Sequence, residues 1–252
     1  MRRFADLSGK RFLITGASSG IGRSCAELFA GLGASLVLVS RNGARLDEVR
    51  SSLCASERHE IFPADLSEVS QIAPLVEKVV SSGPLDGIVH SAGVCTVVPI
   101  AAVSAAAVEK SMSLNLTAFL ELMRCCTRKG AANHGFSAVA VSSVSASAGW
   151  AGGSVYSASK GAISAAVRSL AVELAPRGYR VNCISPSNIR TALFERLTAF
   201  NGEEAMAELR SRQPLGFGLP GQVASAVAFL ASGEAAFITG ADLPVDGGYL
   251  AK

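Results

Sequence analysis

The sequence of 252 residues has few of the features that mark membrane or exported proteins. No apolar run approaches the roughly 18 residues that a membrane-spanning helix needs. Arg2 and Arg3 are not followed by an apolar stretch, so neither a signal peptide nor a twin-arginine signal is supported. We therefore expect a cytoplasmic protein without a membrane partner.

Basic tracts and metal-ligand patterns are also missing. The 23 Lys and Arg residues against 20 Asp and Glu residues give a net charge of +3, spread along the chain. A small net charge without a basic patch does not favour binding to nucleic acid, so we expect no nucleic-acid partner. The six cysteines form no Cys-x-x-Cys pair, and His59, His90 and His134 are far apart. We expect reduced thiols and no metal site.

The sequence does contain a regular alternation of short apolar runs and longer helical stretches. Strands are predicted at Arg11–Thr15, Ser35–Ser40, Glu60–Pro63, Gly87–His90, Ser137–Ser142, Arg180–Ile184 and Asp242–Val245. Helices are predicted at Ile21–Leu32, Ala44–Ser52, Ser67–Ser81, Ser104–Lys129, Val155–Ala175 and Gly221–Ala231. Consecutive apolar positions are typical of strands buried on both faces of a parallel sheet. The pattern predicts one α/β domain over residues 1–252, with a doubly wound parallel sheet of about seven strands and helices on both faces.

The segment from Thr191 to Gly218 interrupts this alternation with a long, charged stretch. Connections of this length in a compact domain are commonly lids or binding loops, which favours a substrate-loop insertion near 191–218. A solvated helix face explains the charges equally well, and both interpretations stay open.

Tyr156 and Lys160 are the most informative pair in the sequence. They are four residues apart, so on a helix they share one face. A phenol has an ordinary pKa of about 10, and an ammonium group one turn away would lower that pKa enough for proton exchange at working pH. An ordinary Tyr–Lys pair on a helix surface has the same spacing. The pair therefore indicates catalysis only if motifs elsewhere in the chain support it.

A glycine-rich turn follows the first predicted strand and opens a helix. Glycines let the backbone approach a pyrophosphate, and the helix N-terminus offers unpaired N–H groups. The spacing is Gly-x-x-x-Gly-x-Gly, which differs from the common dinucleotide fingerprint, and a purely structural turn is the alternative. The candidate cofactor-binding residues in this turn are Gly16, Ser18, Ser19, Gly20, Ile21 and Gly22.

The end of the second predicted strand indicates which dinucleotide would bind. It has no carboxylate to hold the ribose 2′-hydroxyl of NAD. Ser40 leaves room for a 2′-phosphate, and the Arg41 guanidinium suits phosphate oxygens. We therefore expect NADP(H), with NAD(H) less favoured, unless Arg41 is merely an exposed loop charge.

With these features in place, the chain from about Lys10 to Gly248 resembles the short-chain dehydrogenase/reductase family, in pattern nearest to 3-oxoacyl-[acyl-carrier-protein] reductases. The resemblance implies a Rossmann fold and a catalytic set in which Ser143 stands 13 residues before Tyr156. In that set Lys160 also binds the nicotinamide ribose, and Asn115 holds a proton-relaying water. The further cofactor contacts that it implies are Tyr156, Lys160, Asp65, Leu66, Ala92, Gly93, Pro186, Ile189 and Thr191.

Two positions depart from the family pattern. His90 and Ser91 stand where the family has two asparagines, and Ser187 stands where a glycine usually follows Pro186. We interpret His90 as a hydrogen-bonded residue at the end of the sheet rather than a proton relay, because buried polar groups normally find partners. Ser187 leaves open how the backbone approaches the nicotinamide.

The resemblance implies hydride transfer between nicotinamide and a carbonyl compound or secondary alcohol, with a 3-oxoacyl thioester as one candidate substrate. It also implies a homotetramer or homodimer and an acyl carrier protein as a candidate partner. The basic residues that could meet this acidic partner at the pocket mouth are Arg124, Arg128, Lys129 and Arg177. Two alternatives stay open: an NAD-dependent hydroxysteroid or polyol dehydrogenase, and a dinucleotide-sensing protein without catalysis.

Overall fold

The computed structural model describes residues 5–251 and contains one parallel sheet of seven strands. In chain order the strands are β1 (Arg11–Thr15), β2 (Ser35–Ser40), β3 (Glu60–Pro63), β4 (Leu85–His90), β5 (Ala132–Val141), β6 (Arg180–Pro186) and β7 (Asp242–Val245). Their spatial order is β3-β2-β1-β4-β5-β6-β7. The order reverses between β1 and β4, and the crevice beyond the carboxyl ends of the strands at such a point is where doubly wound folds bind ligands. Arg2 and Arg3 lie outside the described residues.

Helices cover both faces of this sheet, as predicted. They are α1 (Gly20–Gly31), α2 (Gly43–Ser52), α3 (Ile72–Val80), α4 (Ala105–Met112), α5 (Ala118–Cys126), α6 (Ser154–Leu174), α7 (Ala192–Thr198), α8 (Glu203–Ser211) and α9 (Pro220–Ala231). Helices α1, α2 and α9 contribute to the apolar core on one face, and α3, α5 and α6 contribute to the core on the other. The doubly wound α/β fold is confirmed.

One long predicted helix differs from expectation. The stretch Ser104–Lys129 is not a continuous α-helix, because the π-helical turn Ser113–Thr117 separates α4 from α5. Turns of this kind inside α-helices frequently mark functional sites. Here the turn carries Asn115, whose side chain is completely buried.

The segment 191–218 also contains more regular structure than predicted. Helices α7 and α8 lie within it, and an isolated parallel bridge between Ile189 and Gly218 joins its two ends. Leu197, Phe200 and Leu215 expose much of their apolar side chains.

Three further observations concern residues 5–251 alone. None of the helices in this range has the length and apolar character needed to cross a membrane. All six cysteines lie in this range and are free thiols. The range contains no cluster of three or more His, Cys, Asp or Glu side chains that could hold a metal ion.

Candidate active site

The predicted catalytic residues gather at the carboxyl edge of the sheet. Ser143 follows the end of β5, and Tyr156 and Lys160 lie in the first two turns of α6. Asn115 approaches from the π-turn, and its Nδ2 donates a hydrogen bond to Ser159 Oγ at 2.8 Å, directly beside Lys160. Residues far apart in the sequence thus share one pocket.

Lys160 is held by its hydrogen bond and by its burial. Its Nζ donates to the carbonyl oxygen of Val141 at 2.8 Å and lies 5.7 Å from the centroid of the Tyr156 ring. Burial lowers the pKa of Lys160 to about 8, because removing water disfavours the charged ammonium. The ammonium group therefore titrates near physiological pH.

The pKa of Tyr156 moves in the opposite direction from the one expected. Burial raises the pKa of the phenol, Cys95 adds to the rise, and a hydrogen bond with the Ser143 side chain lowers it in part. The prediction that Lys160 brings the phenol pKa down was therefore wrong: the loss of water around the ring outweighs its neighbours. The phenol keeps its proton at neutral pH, which suits a proton donor.

Ser143 is oriented by the backbone of the next turn. Its Oγ accepts a hydrogen bond from the backbone N–H of Ser145 at 3.1 Å. A hydroxyl has two acceptor lone pairs and one donor hydrogen. Because the N–H group of Ser145 uses a lone pair, the Ser143 hydrogen stays available to donate into the pocket.

Asn115 fixes the loop that follows β4. Its Oδ1 accepts from the N–H of Val94 at 2.8 Å, and its Nδ2 donates to the carbonyl oxygen of Val94 at 3.0 Å. A Cβ placed on Gly93 would lie 3.1 Å from Asn115 Oδ1 and 3.4 Å from Lys160 Nζ. Asn115 and Lys160 therefore border the same small space, which a side chain at position 93 would fill.

The glycine-rich turn has the backbone geometry that a pyrophosphate requires. Gly16 and Gly20 adopt positive φ angles of 67° and 54°, and a Cβ on Gly16 would lie 2.9 Å from the backbone nitrogen of Ala92. Helix α1 begins at Gly20, its first turn has no acidic residue, and the Ser19 side chain makes no capping bond within residues 5–251. The N–H of Ala17 donates to the carbonyl oxygen of Val39 at 3.3 Å, whereas no side chain caps the N–H groups at the start of α1, so this helix N-terminus fits the pyrophosphate of a dinucleotide.

The other residues predicted in this turn are placed differently. Ser18 and Ile21 are half-buried, Ser19 is exposed, and Gly22 is packed against the carbonyl of Gly16 so closely that any side chain would clash. The role of Gly22 is therefore one of packing between the turn and the helix.

The end of β2 has features that fit a 2′-phosphate. The hydroxyl of Ser40 is buried and has no hydrogen-bond partner among the described residues. The Arg41 side chain is 75% exposed and lies 3.9 Å from the carboxylate of Asp65. Although partial burial acts to raise the pKa of Asp65, hydrogen bonds from Ser67 and the charges of Arg41 and Lys110 lower it overall.

Leu66 and the residues after β6 complete the predicted cofactor set. Leu66 and Ile189 point their side chains into the apolar core, so only their backbone could reach a cofactor. Thr191 caps α7 through a hydrogen bond from Phe194, and its methyl group lies 3.4 Å from where a Cβ on Gly20 would be. Pro186 ends β6 at the same edge of the sheet.

The departure at position 187 has a local explanation. The Ser187 hydroxyl donates to the backbone carbonyl of Asp246 at 2.9 Å, in the C-terminal loop. The side chain that replaces the usual glycine is therefore used to hold that loop.

Sequence reasoning missed two residues near the pair. Cys95 acts on the pKa of both Tyr156 and Lys160, and Arg196 of α7 acts on that of Cys95. Burial raises the pKa of Cys95 to about 11, although Lys160 and Arg196 oppose the rise, so the thiol stays neutral. Only its place two residues after Gly93, a candidate cofactor contact, could have indicated Cys95 from the sequence.

The basic residues proposed for the pocket mouth lie elsewhere in this chain. Arg128, Lys129 and Arg177 precede β5 and β6, whereas the catalytic pair lies beyond the ends of these strands. Arg124 pairs with Glu121, and Arg128 lies 3.6 Å from Glu77. Within one chain they therefore border the opposite edge of the sheet from the site.

His90 is buried at the end of β4 and is hydrogen-bonded, as interpreted from the sequence. Its Nδ1 lies 3.1 Å from Thr15 Oγ1, and its ring lies 5.6 Å from the ring of Phe119. Burial lowers the pKa of His90 to about 3, with a smaller contribution from the charge of Lys160, although backbone groups of the π-turn oppose it.

We expect this buried imidazole to make the protein sensitive to acid. The unfolded chain binds a proton on His90 below its ordinary pKa of about 6.5, whereas the folded chain binds it only near pH 3. Between about pH 7 and pH 5 the free energy of unfolding should fall by roughly 2 kcal/mol on this account. Urea unfolding of the wild type and of His90→Asn at both pH values measures this fall in the free energy of unfolding. An equal fall in the two proteins would show that His90 is not the group responsible.

Comparison with known proteins finds matches over nearly the whole chain. A family model described as enoyl-(acyl carrier protein) reductase matches residues 16–250. A 3-oxoacyl-[acyl-carrier-protein] reductase of Rickettsia prowazekii is 33% identical, and an L-xylulose reductase of Bos taurus is 34% identical; each match covers 97% of this chain and 98% of the relative.

A solved structure extends the similarity to three dimensions. It is that of a Beutenbergia cavernae protein provisionally assigned as an NAD(P)-dependent gluconate 5-dehydrogenase, with bound NADP at low occupancy. The TM-score is 0.90 at 30% identity, over 99% of this chain and all of that one. With its sheet order, glycine turn and Ser–Tyr–Lys arrangement, this chain belongs to the short-chain dehydrogenase/reductase family, whose enzymes oxidise alcohols or reduce carbonyl compounds with NAD(P).

Proposed function

We propose that this enzyme is an NADP(H)-dependent carbonyl reductase or alcohol dehydrogenase that uses Ser143, Tyr156, Lys160 and Asn115. The observation that carries the proposal is the place of the half-buried Tyr156 phenol, which is hydrogen-bonded to the Ser143 side chain and has the Lys160 ammonium group 5.7 Å from its ring centroid. The loop after β4 joins these groups to the glycine-rich turn: Gly93 borders Asn115 and Lys160, and the preceding Ala92 packs against Gly16, so a substrate carbonyl would meet both the proton donors and the cofactor.

The chain's own residues supply the proton chemistry of this proposal. When bound, the nicotinamide supplies a hydride to the carbonyl carbon or accepts one from the alcohol. The hydroxyl groups of Ser143 and Tyr156 both donate to the carbonyl oxygen, where they stabilise developing negative charge. Tyr156 then transfers its proton to that oxygen, and in the oxidation direction the phenolate takes the proton back.

Lys160 and Asn115 support the phenol in different ways. The ammonium charge of Lys160 stabilises the phenolate as it forms, which offsets part of the loss of water around the ring. The amide hydrogens of Asn115 are both used within the protein, so a relay water would bind the remaining lone pair of Oδ1. The space beside Gly93, which Oδ1 and Lys160 Nζ both border, is the place for that water.

Two observations favour NADP(H) over NAD(H). The unpartnered Ser40 hydroxyl and the exposed Arg41 guanidinium lie at the end of β2, where the family holds the adenosine ribose. A 2′-phosphate would give the Ser40 hydroxyl a partner, and the Arg41 guanidinium, which lies 3.9 Å from Asp65, would bind the phosphate oxygens in a charge-assisted pair.

The substrate proposal is a carbonyl compound or secondary alcohol, with a 3-oxoacyl thioester carried by an acyl carrier protein as one candidate. The resemblance to the Rickettsia prowazekii enzyme supports it. An NAD-dependent polyol dehydrogenase is the second candidate, favoured by the similarity to L-xylulose reductase.

We further propose that α7 and α8 cover the pocket as a substrate loop, and that the protein is a homotetramer or homodimer.

Oxidation of NADPH, followed by absorbance with a carbonyl panel, tests the function. The panel includes acetoacetyl thioesters and L-xylulose, and each substrate is repeated with NADH. We expect turnover with NADPH on at least one carbonyl. If NADPH binds and no member of the panel is reduced, the dinucleotide-sensing alternative gains support.

We expect the rate of carbonyl reduction to fall as the pH rises through about 8. Above this pH the free enzyme loses the ammonium charge of Lys160, whose pKa burial has lowered to about 8. The pH profile of kcat/KM reports groups of the free enzyme. In Lys160→Arg, whose guanidinium stays charged, a lower activity without the decline near pH 8 is expected. A wild-type profile that is flat to about pH 10 would remove Lys160 as the titrating group.

A further inference from the structure

We propose that neutral His90, with its proton on Nε2, is a positioning residue that links the end of β1 to the π-turn carrying Asn115. The inference rests on the proposed function, because Asn115 and Lys160 are the groups that it positions. It assigns a role to the residue by which this chain departs from the asparagine of its family.

The hydrogen bonds of Thr15 determine which nitrogen of His90 carries the proton. Thr15 Oγ1 accepts from the backbone N–H groups of Ser91 and of Ala92, each at 3.1 Å. These two bonds use both acceptor lone pairs of the hydroxyl. Its hydrogen therefore goes to the third neighbour, His90 Nδ1 at 3.1 Å. A neutral imidazole whose Nδ1 accepts has its proton on Nε2.

The His90 ring lies 5.6 Å from the ring of Phe119, two residues after the π-turn, and we assign this turn as the neighbour of Nε2. Within residues 5–251, Nε2 has no partner at hydrogen-bonding geometry, yet it is buried. The backbone groups of Asn115 and Leu114 lie near enough to favour its protonation. Their carbonyl groups are the nearby acceptors for the N–H of Nε2, and a small movement of the ring or the turn would close the contact. His90 thus stands between β1 and the turn that places Asn115.

Both elements that His90 would join, the end of β1 and the π-turn, border the active site. Asn115 binds Val94 and Ser159, the residue directly before Lys160. On the other side, Ala92 lies so close to Gly16 that a Cβ there would come within 2.9 Å of its nitrogen. An asparagine at position 90 could present an acceptor to Thr15, but its shorter side chain would not reach the π-turn.

Nitrogen-15 NMR of histidine-labelled protein tests the tautomer without any assay of activity. His59 is an internal reference, because its Nδ1 accepts from Leu36 N–H at 3.2 Å and its Nε2 lies 3.0 Å from the carbonyl oxygen of Cys54. We expect His90 to show the same unprotonated Nδ1 and protonated Nε2, unchanged from about pH 8 to about pH 5. Protonation of Nδ1 would overturn the proposal. The spectrum of His90→Asn assigns the signal.

Kinetics of three variants tests the positioning role. His90→Asn can still accept from Thr15 but lacks the N–H group proposed to face the π-turn, so kcat should fall about tenfold with the NADPH Kd nearly unchanged. His90→Gln, whose amide reaches the Nε2 position, should recover part of that loss. In the Asn115→Ala background, His90→Asn should lower kcat less than about twofold, because it acts through Asn115.

Failure of the positioning role of His90 and failure of the proposed carbonyl reduction give different results. Equal losses from His90→Asn in the presence and absence of Asn115 would overturn the positioning role. So would a rise in the NADPH Kd that accounts for the whole loss of activity. If the wild type reduces no carbonyl, the proposed function fails, while the NMR experiment still decides the tautomer. If the His90 variants do not fold, spectra of His59→Asn and His134→Asn assign the wild-type His90 signal by elimination.

Discussion

Tyr156→Phe should reduce carbonyl turnover by at least about 10²-fold and leave NADPH affinity nearly unchanged. The substitution removes the phenolic hydroxyl and keeps the ring, so the packing of α6 stays intact. Burial raises the pKa of this phenol, which keeps the proton in place for transfer to the substrate. Steady-state rates and a fluorescence titration of NADPH measure the two quantities.

The chain supplies a matched control for this substitution. Tyr179 is buried, and its hydroxyl accepts from Arg177 at 3.1 Å just before β6, at the opposite edge of the sheet. Tyr179→Phe should therefore keep the wild-type rate while removing the same atom from the protein. Substantial residual turnover in Tyr156→Phe, or an equal loss in Tyr179→Phe, would contradict the role assigned to Tyr156.

Arg41→Asp should shift the cofactor preference from NADPH toward NADH by about 100-fold. Removing a hydrogen bond to a charged group costs about 1.5–3 kcal/mol, and each 1.4 kcal/mol is a factor of ten in affinity. The new carboxylate would also repel the 2′-phosphate and could instead accept the ribose 2′-hydroxyl of NADH. The ratio of the two Kd values, measured by titration, reports the shift directly.

Arg50→Asp makes the same change of charge at a distance from the site. Arg50 lies in the last turn of α2, where it pairs with Asp47 at 2.7 Å. Its substitution should leave the ratio of Kd values close to that of the wild type. An unaltered ratio in Arg41→Asp would argue against the 2′-phosphate contact. A similar shift in both variants would indicate a general effect of net charge.

Strands were predicted well from the sequence where apolar residues are consecutive. β1, β2, β3 and β7 have the predicted bounds, because strands in a parallel sheet are flanked by turns that the sequence marks with Gly, Pro or polar residues. β5 begins five residues earlier than predicted, at Ala132. Its first residues include His134 and Gly135, which are exposed, so no apolar run marks them.

Helical interruptions were harder to predict. The residues Ser113–Thr117 continue a helix-forming pattern, and nothing in their composition distinguishes a π-turn from an α-helix. The turn is fixed by contacts distant in sequence, above all those of Asn115 with Val94 and Ser159. Helices α7 and α8 agree with the solvated helix face that was left open for this segment, but their bounds could not be predicted because charged residues and exposed apolar ones obscure their periodicity.

The sequence by itself determined the alternating fold, the glycine turn and the shared helical face of Tyr156 and Lys160, since these depend on local spacing. Only the tertiary structure decided that the pKa of the phenol rises, because burial comes from segments far apart in the chain. It also decided that Arg128 and Arg177 border the wrong edge of the sheet, since the direction of a strand separates residues at its start from residues at its end. Hydration and distance between remote segments cannot be read from spacing along the chain.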